Sequence, residues 1–196
     1  RDVSAHHLGA SRVGLVEWRP ENATTPFVLR NTRYYYDNPW HFDSFDSAMQ
    51  MEGAKGNGAP LVVSVDTRQQ TAVVELTNVK SSPVTAEVKF FAADGTRVET
   101  RNLRLPARSS VHLIVDGVLE NTLGSVSING SKSASILATA VHYTRTSTQG
   151  ITSVYGTLAK EAIGSTLEGS YNTFLGQSCE LYLTNSSTHD VDVTLD

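Results

Sequence analysis

The densest chemistry in this sequence is aromatic. Tyr34-Tyr35-Tyr36-Asp37-Asn38-Pro39-Trp40-His41-Phe42-Asp43-Ser44-Phe45 holds six of the chain's fifteen aromatic residues in twelve positions. Tyr and Trp offer rigid apolar faces with a polar tip, which suits stacking on sugar rings or anchoring a protein interface. On that reading the candidate binding residues are Tyr34, Tyr36, Trp40 and Phe42. A strand whose alternate tyrosines enter a core while the rest cover a neighbouring domain would show the same pattern. Both readings stand at this point.

Asp37, Asp43 and Asp46 lie in and just after the same stretch. They are the weak candidates for a metal site, because calcium takes about six to eight oxygen ligands. Their spacing fits no EF-hand loop and lacks its terminal Glu, so solvated turn carboxylates are the plainer reading. Histidine offers no better cage. His6 and His7 are adjacent and would point to opposite faces of a strand. His41, His112, His142 and His189 fall in separate elements, whereas zinc needs about four converging ligands. No cofactor is expected.

Nucleophilic catalysis finds no support either. Serines and histidines are plentiful, but no Gly-x-Ser-x-Gly turn presents a strained serine. Cys179 is the one cysteine, so no intrachain disulfide can form. Ala72 occupies the matching place in an internal repeat described below, which marks a small packing position more than a reactive thiol. No phosphate-cradling glycine loop or dinucleotide fingerprint is present. Sequons at Asn22, Asn129 and Asn185 are what chance supplies in a chain this rich in Asn, Ser and Thr.

The elements that must carry these residues are strands. Val84-Thr85-Ala86-Glu87-Val88-Lys89-Phe90 alternates apolar and polar residues at period two, the mark of a half-buried strand. Asp94-Gly95 supplies the positive φ of a tight hairpin, and Pro106 and Asp116-Gly117 stop the next two apolar segments. Further strands are predicted at 74–76, 125–128, 136–143 and 151–155. That makes about seven short strands at roughly 8–12-residue spacing without an amphipathic helix, the pattern of an antiparallel β-sandwich.

Internal similarity divides the chain. Val74-Glu75-Leu76-Thr77-Asn78 returns as Leu181-Tyr182-Leu183-Thr184-Asn185, an offset of 107 residues. Val84-Thr85-Ala86-Glu87-Val88 falls on Val191-Asp192-Val193-Thr194-Leu195 at the same offset. Upstream, the segment 13–18 is similar to 138–143. The expected organisation is a back half of one unit over 1–64 and a complete unit over 66–158. A linker over 159–169 and the opening strands of a further unit over 170–196 follow. Residues 34–58 are an insertion on the first. About two sandwich units result if the strands around Leu181–Leu183 and Val191–Leu195 complete the sheet of 1–64, within one chain or between chains.

The repeated pattern is apolar-x-Leu-Thr-Asn, a Ser-rich turn, an alternating strand, Asp-Gly, then Leu-Pro-Ala and another strand. It resembles the Ig-like β-sandwich repeats of large bacterial secreted and surface proteins over about 70–155 and again over 179–196. The resemblance implies an all-β, Ig-like fold and a stalk, spacer or adhesive role without catalysis. It also implies export from a bacterium and strand pairing with neighbouring repeats or copies of itself. A carbohydrate- or protein-binding module, accessory to an enzyme, is the alternative, with a glycan or surface protein as partner. A net charge of −4 and a pI near 5.9 speak against nucleic acid and anionic membrane. No apolar run approaches the roughly 20 residues of a membrane-spanning helix.

Overall fold

The structure, a computed structural model, describes residues 28–35, 47–52, 54, 59–146, 150–161, 173–176 and 179–194, with residues 15, 17, 21 and 22 besides. The strands run β1 (Arg30–Tyr35), β2 (Ser47–Glu52), β3 (Leu61–Asp66), β4 (Gln70–Asn78), β5 (Val84–Ala92) and β6 (Arg97–Leu105). They continue with β7 (Ser110–Ile114), β8 (Leu123–Gly130), β9 (Ile136–Thr146), β10 (Gly150–Leu158) and β11 (Lys160–Glu161). No α-helix occurs among the described residues, and every strand pair is antiparallel. The fold is all-β, as the alternation predicts, and β4 to β10 contain all seven predicted strands.

Two of the three sheets form the main body. One has the order β10-β9-β4-β7 and the other β11-β3-β8-β5-β6. Within these two sheets sequence neighbours pair only at the β5–β6 and β9–β10 hairpins, and the remaining connections cross from sheet to sheet. Period-two burial drives this. Val84, Ala86, Val88 and Phe90 of β5 are buried, while Thr85 is exposed and Glu87 only half-buried. Ala72, Val74 and Leu76 of β4 face the same cluster from the other sheet, joined by Val126 and Ile128 of β8 and Ala138 and Ala140 of β9. Both sheets thus bury their apolar faces in one common core.

The β5–β6 turn follows the chemistry read from the sequence. Gly95 takes φ +83, a left-handed conformation that an L side chain rarely adopts. The Asp94 carboxylate accepts from the Thr96 backbone N–H at 2.8 Å and fixes the turn.

The core shared by the two main sheets begins before residue 66. Leu61, Val63 and Val65 of β3 enter the common core, and β3 pairs along its length with β8. Burial therefore carries the shared core back to residue 61, with β3 covering the side of β8 that faces away from β5. At the far end Ala159, expected in a linker, is buried and donates its N–H to the Ala138 carbonyl at 2.9 Å.

The third sheet is the β1–β2 hairpin, which lies against β10. Met49 of β2 is buried, and its sulfur occupies the space over Gly156 of β10. A Cβ there would meet that sulfur at 2.3 Å and the Ala140 carbonyl oxygen at 3.2 Å. Arg33 of β1 grips Glu75 of β4 with two hydrogen bonds of 2.7 Å. The segments 181–183 and 191–194 have no ladder partner among the described residues, and most of the N-terminal portion whose sheet they are expected to complete lies outside the described residues.

Candidate functional site

Polar side chains converge where β3 turns into β4. The turn residue Gln69 has φ 57, which bends the chain sharply enough to bring Asp66, Arg68 and Gln70 together. The Asp66 carboxylate accepts from the Arg68 backbone N–H at 2.9 Å and from its guanidinium at 3.1 and 2.9 Å. Burial by itself would raise the Asp66 pKa, but the hydrogen bonds from Arg68 outweigh it and hold the carboxyl below the usual carboxylate range. The same pairing raises the Arg68 guanidinium further above its ordinary value.

His142 of β9 and Tyr155 of β10 form the wall of this corner. The two rings stack with centroids 4.5 Å apart and planes 10° from parallel. His142 is buried, and its Nε2 accepts from the Asp66 backbone N–H at 3.1 Å. That bond puts the imidazole proton on Nδ1, which is buried without a hydrogen-bond partner among the described residues. Burial pushes the His142 pKa down, against the opposing pull of the Asp66 and Asp116 carboxylates. The Gln70 amide donates to the Tyr155 hydroxyl at 2.8 Å. Burial raises the Tyr155 pKa, with the Gln70 bond opposing it.

The C-terminal segment enters the same corner. The Tyr182 hydroxyl donates to Glu180 and lies 3.5 Å from Asp66 Oδ2. The Glu180 bond, aided by burial, pushes the Tyr182 pKa up to about 12. Glu180 stands 3.8 Å from the Arg68 guanidinium. The corner therefore presents two partly exposed phenol rings beside a locked Asp–Arg fork and an amide. Such a group can dock a polar, ring-bearing ligand. It is poorly arranged for proton transfer, because one histidine nitrogen is engaged by backbone and the other is enclosed.

A second feature is an asparagine-centred turn whose local hydrogen bonds occur twice, once at an arch between the sheets. Asn78, fully buried between β4 and β5, donates to the carbonyls of Ser82, Leu105 and Pro106 at 2.9, 3.2 and 2.8 Å. Its Oδ1 accepts from the Lys80 N–H at 2.8 Å. Asn185, at the offset of 107, donates to the His189 carbonyl at 2.7 Å and accepts from the Ser187 N–H at 2.9 Å. These bonds span the same two and four residues as those to Lys80 and Ser82. The repeat in sequence is thus a repeat in local geometry. What differs is burial: Val74, Leu76, Val84 and Ala86 are at most 2% exposed. Leu181, Leu183, Val191 and Val193 are 64, 60, 56 and 64% exposed.

The aromatic candidates are only partly visible. Tyr34 lies on β1 opposite Ala48 and is 52% exposed. Tyr36, Trp40 and Phe42 lie outside the described residues, as do Asp37, Asp43 and Asp46. Among the described residues no group of three or more His, Cys, Asp or Glu converges on a common point. His112 stands 3.5 Å from Glu75, on the partner of Arg33. Sequence reasoning missed the Asp66–His142–Tyr155 corner because its members come from three strands whose adjacency no local pattern announces. Val62–Asp66, with its polar end before Arg68, was the one available signal.

No family model matches this chain, and no curated protein matches it. Among solved structures it is similar to the crystal structure of Thermotoga maritima 1070. The identity is 11% over 56% of this chain and 98% of that one, with a TM-score of 0.46. It is also similar to the Anabaena sensory rhodopsin transducer, at 16% identity over 44% of this chain and 97% of that one, with a TM-score of 0.35. Neither likeness assigns a family or an activity.

Proposed function

We propose that this chain is a structural or adhesive segment of a secreted or cell-surface fibre, built of Ig-like two-sheet units and without chemistry of its own. The supporting observation is the second asparagine-centred turn. Asn185 repeats the two local hydrogen bonds of Asn78, while the four apolar side chains around it stand open at places whose counterparts are buried. A strand segment shaped for a core but lacking one is a means of joining units by strand pairing. Neighbouring repeats or further copies of the chain are the partners this implies.

Light scattering over a dilution series tests the reading. The full chain is expected to gain mass with concentration, and a version ending at Gly169 is expected to stay monomeric. A full chain that remains monomeric across the series removes the proposal.

The half-exposed Tyr34 favours a second reading, a carbohydrate- or protein-binding module that uses Tyr34, Tyr36, Trp40 and Phe42. Saturable binding on a glycan array, abolished by Trp40→Ala, would establish it.

A further inference from the structure

The outer edge of β3 is paired over only part of its length. β8 covers one side from Leu61 to Asp66, whereas β11 covers the other at Leu61 and Val62 alone. The rest of that edge, Val63 to Asp66, has no strand beside it among the described residues. Backbone direction fixes which groups face outward. The Thr67 N–H points to β8, where it donates to the Thr122 carbonyl at 3.0 Å. Alternation then turns the N–H and C=O of Ser64 and Asp66 toward the open side. Asp66 agrees, since its N–H reaches the His142 ring on that side.

Two side-chain contacts from the C-terminal segment fall along this edge and a third lies just past it, in the turn to β4. Ser64 Oγ meets Thr184 Oγ1 at 3.1 Å, Asp66 meets Tyr182 at 3.5 Å, and Arg68 meets Glu180 at 3.8 Å. Each step of two residues forward from β3 matches a step of two backward in the segment. That is the register of an antiparallel pair seen from one face. It also continues the row that β11 begins, in the same direction.

We infer that residues 180–184 dock on β3 of their own chain as an antiparallel edge strand, with Thr184 opposite Ser64 and Tyr182 opposite Asp66. The open carbonyl of Ser64 takes the Thr184 N–H, and at Asp66, whose N–H stays with His142, the carbonyl takes the Tyr182 N–H. Leu183 then comes to lie beside Val65 on the core side of the sheet, which gives its exposed side chain an apolar neighbour. This inference does not rest on the fibre reading. It concerns a contact within one chain and is tested at concentrations where no assembly forms.

Disulfide trapping decides it. In a Cys179→Ser background, Ser64→Cys with Thr184→Cys places two thiols opposite each other on one face, within the Cα separation of about 4.4–6.8 Å that a disulfide spans. Ser64→Cys with Leu183→Cys is the control, because a slip of one residue turns the side chain to the other face. All three positions lie at the surface or are only partly covered, so these variants are expected to fold. Mild oxidation of dilute protein should close the 64–184 pair within the monomer at least several-fold faster than the control pair. The Tyr182 and Thr184 amides of the unmodified chain should exchange more slowly than those of Val191 and Val193, by on the order of tenfold. Equal closure of both pairs, closure only between chains, or no closure would each overturn the inference.

Discussion

Asn78 stands at the crossing between the two sheets, and its side chain satisfies three carbonyls and one N–H of the arch. Replacing it with Ala strands those groups in a buried place and should cost about 2–3 kcal/mol in urea unfolding. Asn185→Ala removes the same local bonds where water replaces them, and should cost under about 0.5 kcal/mol. Equal losses would mean that the arch, and not its burial, carries the energy. His142 sets a pH dependence of known sign. Burial holds its folded pKa below the value of about 6.5 that the unfolded chain shows. The unfolded state therefore binds the extra proton first. This contribution to stability is complete above about pH 6.5 and declines as pH falls below it. Asp66, held below the usual carboxylate range by Arg68, adds a second loss nearer pH 4 and under. The urea midpoint is expected to be lower at pH 5.5 than at pH 7.5, and His142→Gln should flatten that difference. An unchanged slope in the variant would place the titrating group elsewhere.

Strands were legible in the sequence wherever one face is buried and the other wet. β5 is the plainest example, since the alternation from Val84 to Phe90 is the alternation of its burial. β3 was less legible. Leu61-Val62-Val63 reads as a continuous apolar run, and its pairing with β8 joins residues about sixty positions apart, which no local pattern encodes. The same holds for the polar corner, where Asp66, His142 and Tyr155 meet only through sheet topology. The 181–193 segment shows the converse. Its residues carry a strand pattern, yet no ladder forms on them among the described residues, because a pattern alone supplies no backbone partners. The β1–β2 hairpin depends on such a neighbour as well, and Arg33 is one of its links to the body. Glu75 is buried, so removing Arg33 leaves a carboxylate short of two charge-assisted hydrogen bonds. Because Arg33 itself is partly exposed, water makes up some of that loss, and Arg33→Ala should cost about 1–3 kcal/mol. Hydrogen exchange would locate the damage: faster exchange across β1 and β2 with β5 and β8 unchanged is the expected result. Uniform acceleration would show that the hairpin is part of the main cooperative unit.

At the scale of the whole molecule, the contiguous core answers the question of autonomy. Every buried member of the cluster shared by the two main sheets lies between Leu61 and Ala159. Met49, among the described residues the one buried apolar side chain outside that span, packs at Gly156 and not in the cluster. A unit that owns its core and shares little of it with its flanks should fold alone, as repeat units joined by limited contacts do. A fragment of residues 59–161 is therefore expected to unfold in urea as one cooperative transition, with a slope of about 1 kcal/mol per molar for a domain of this size. Its midpoint should fall slightly below that of the full chain, because the hairpin's cover over Glu75 and the C-terminal contacts to Asp66 are gone. Many core contacts join strands distant in sequence, such as β3 with β8 and β4 with β9, so refolding should take milliseconds to seconds rather than microseconds. A fragment with a broad, non-cooperative transition would place essential core outside 59–161, in residues that the repeat pattern assigns to a preceding unit. In that case the chain would be a single larger domain, and its internal similarity would describe ancestry without modularity.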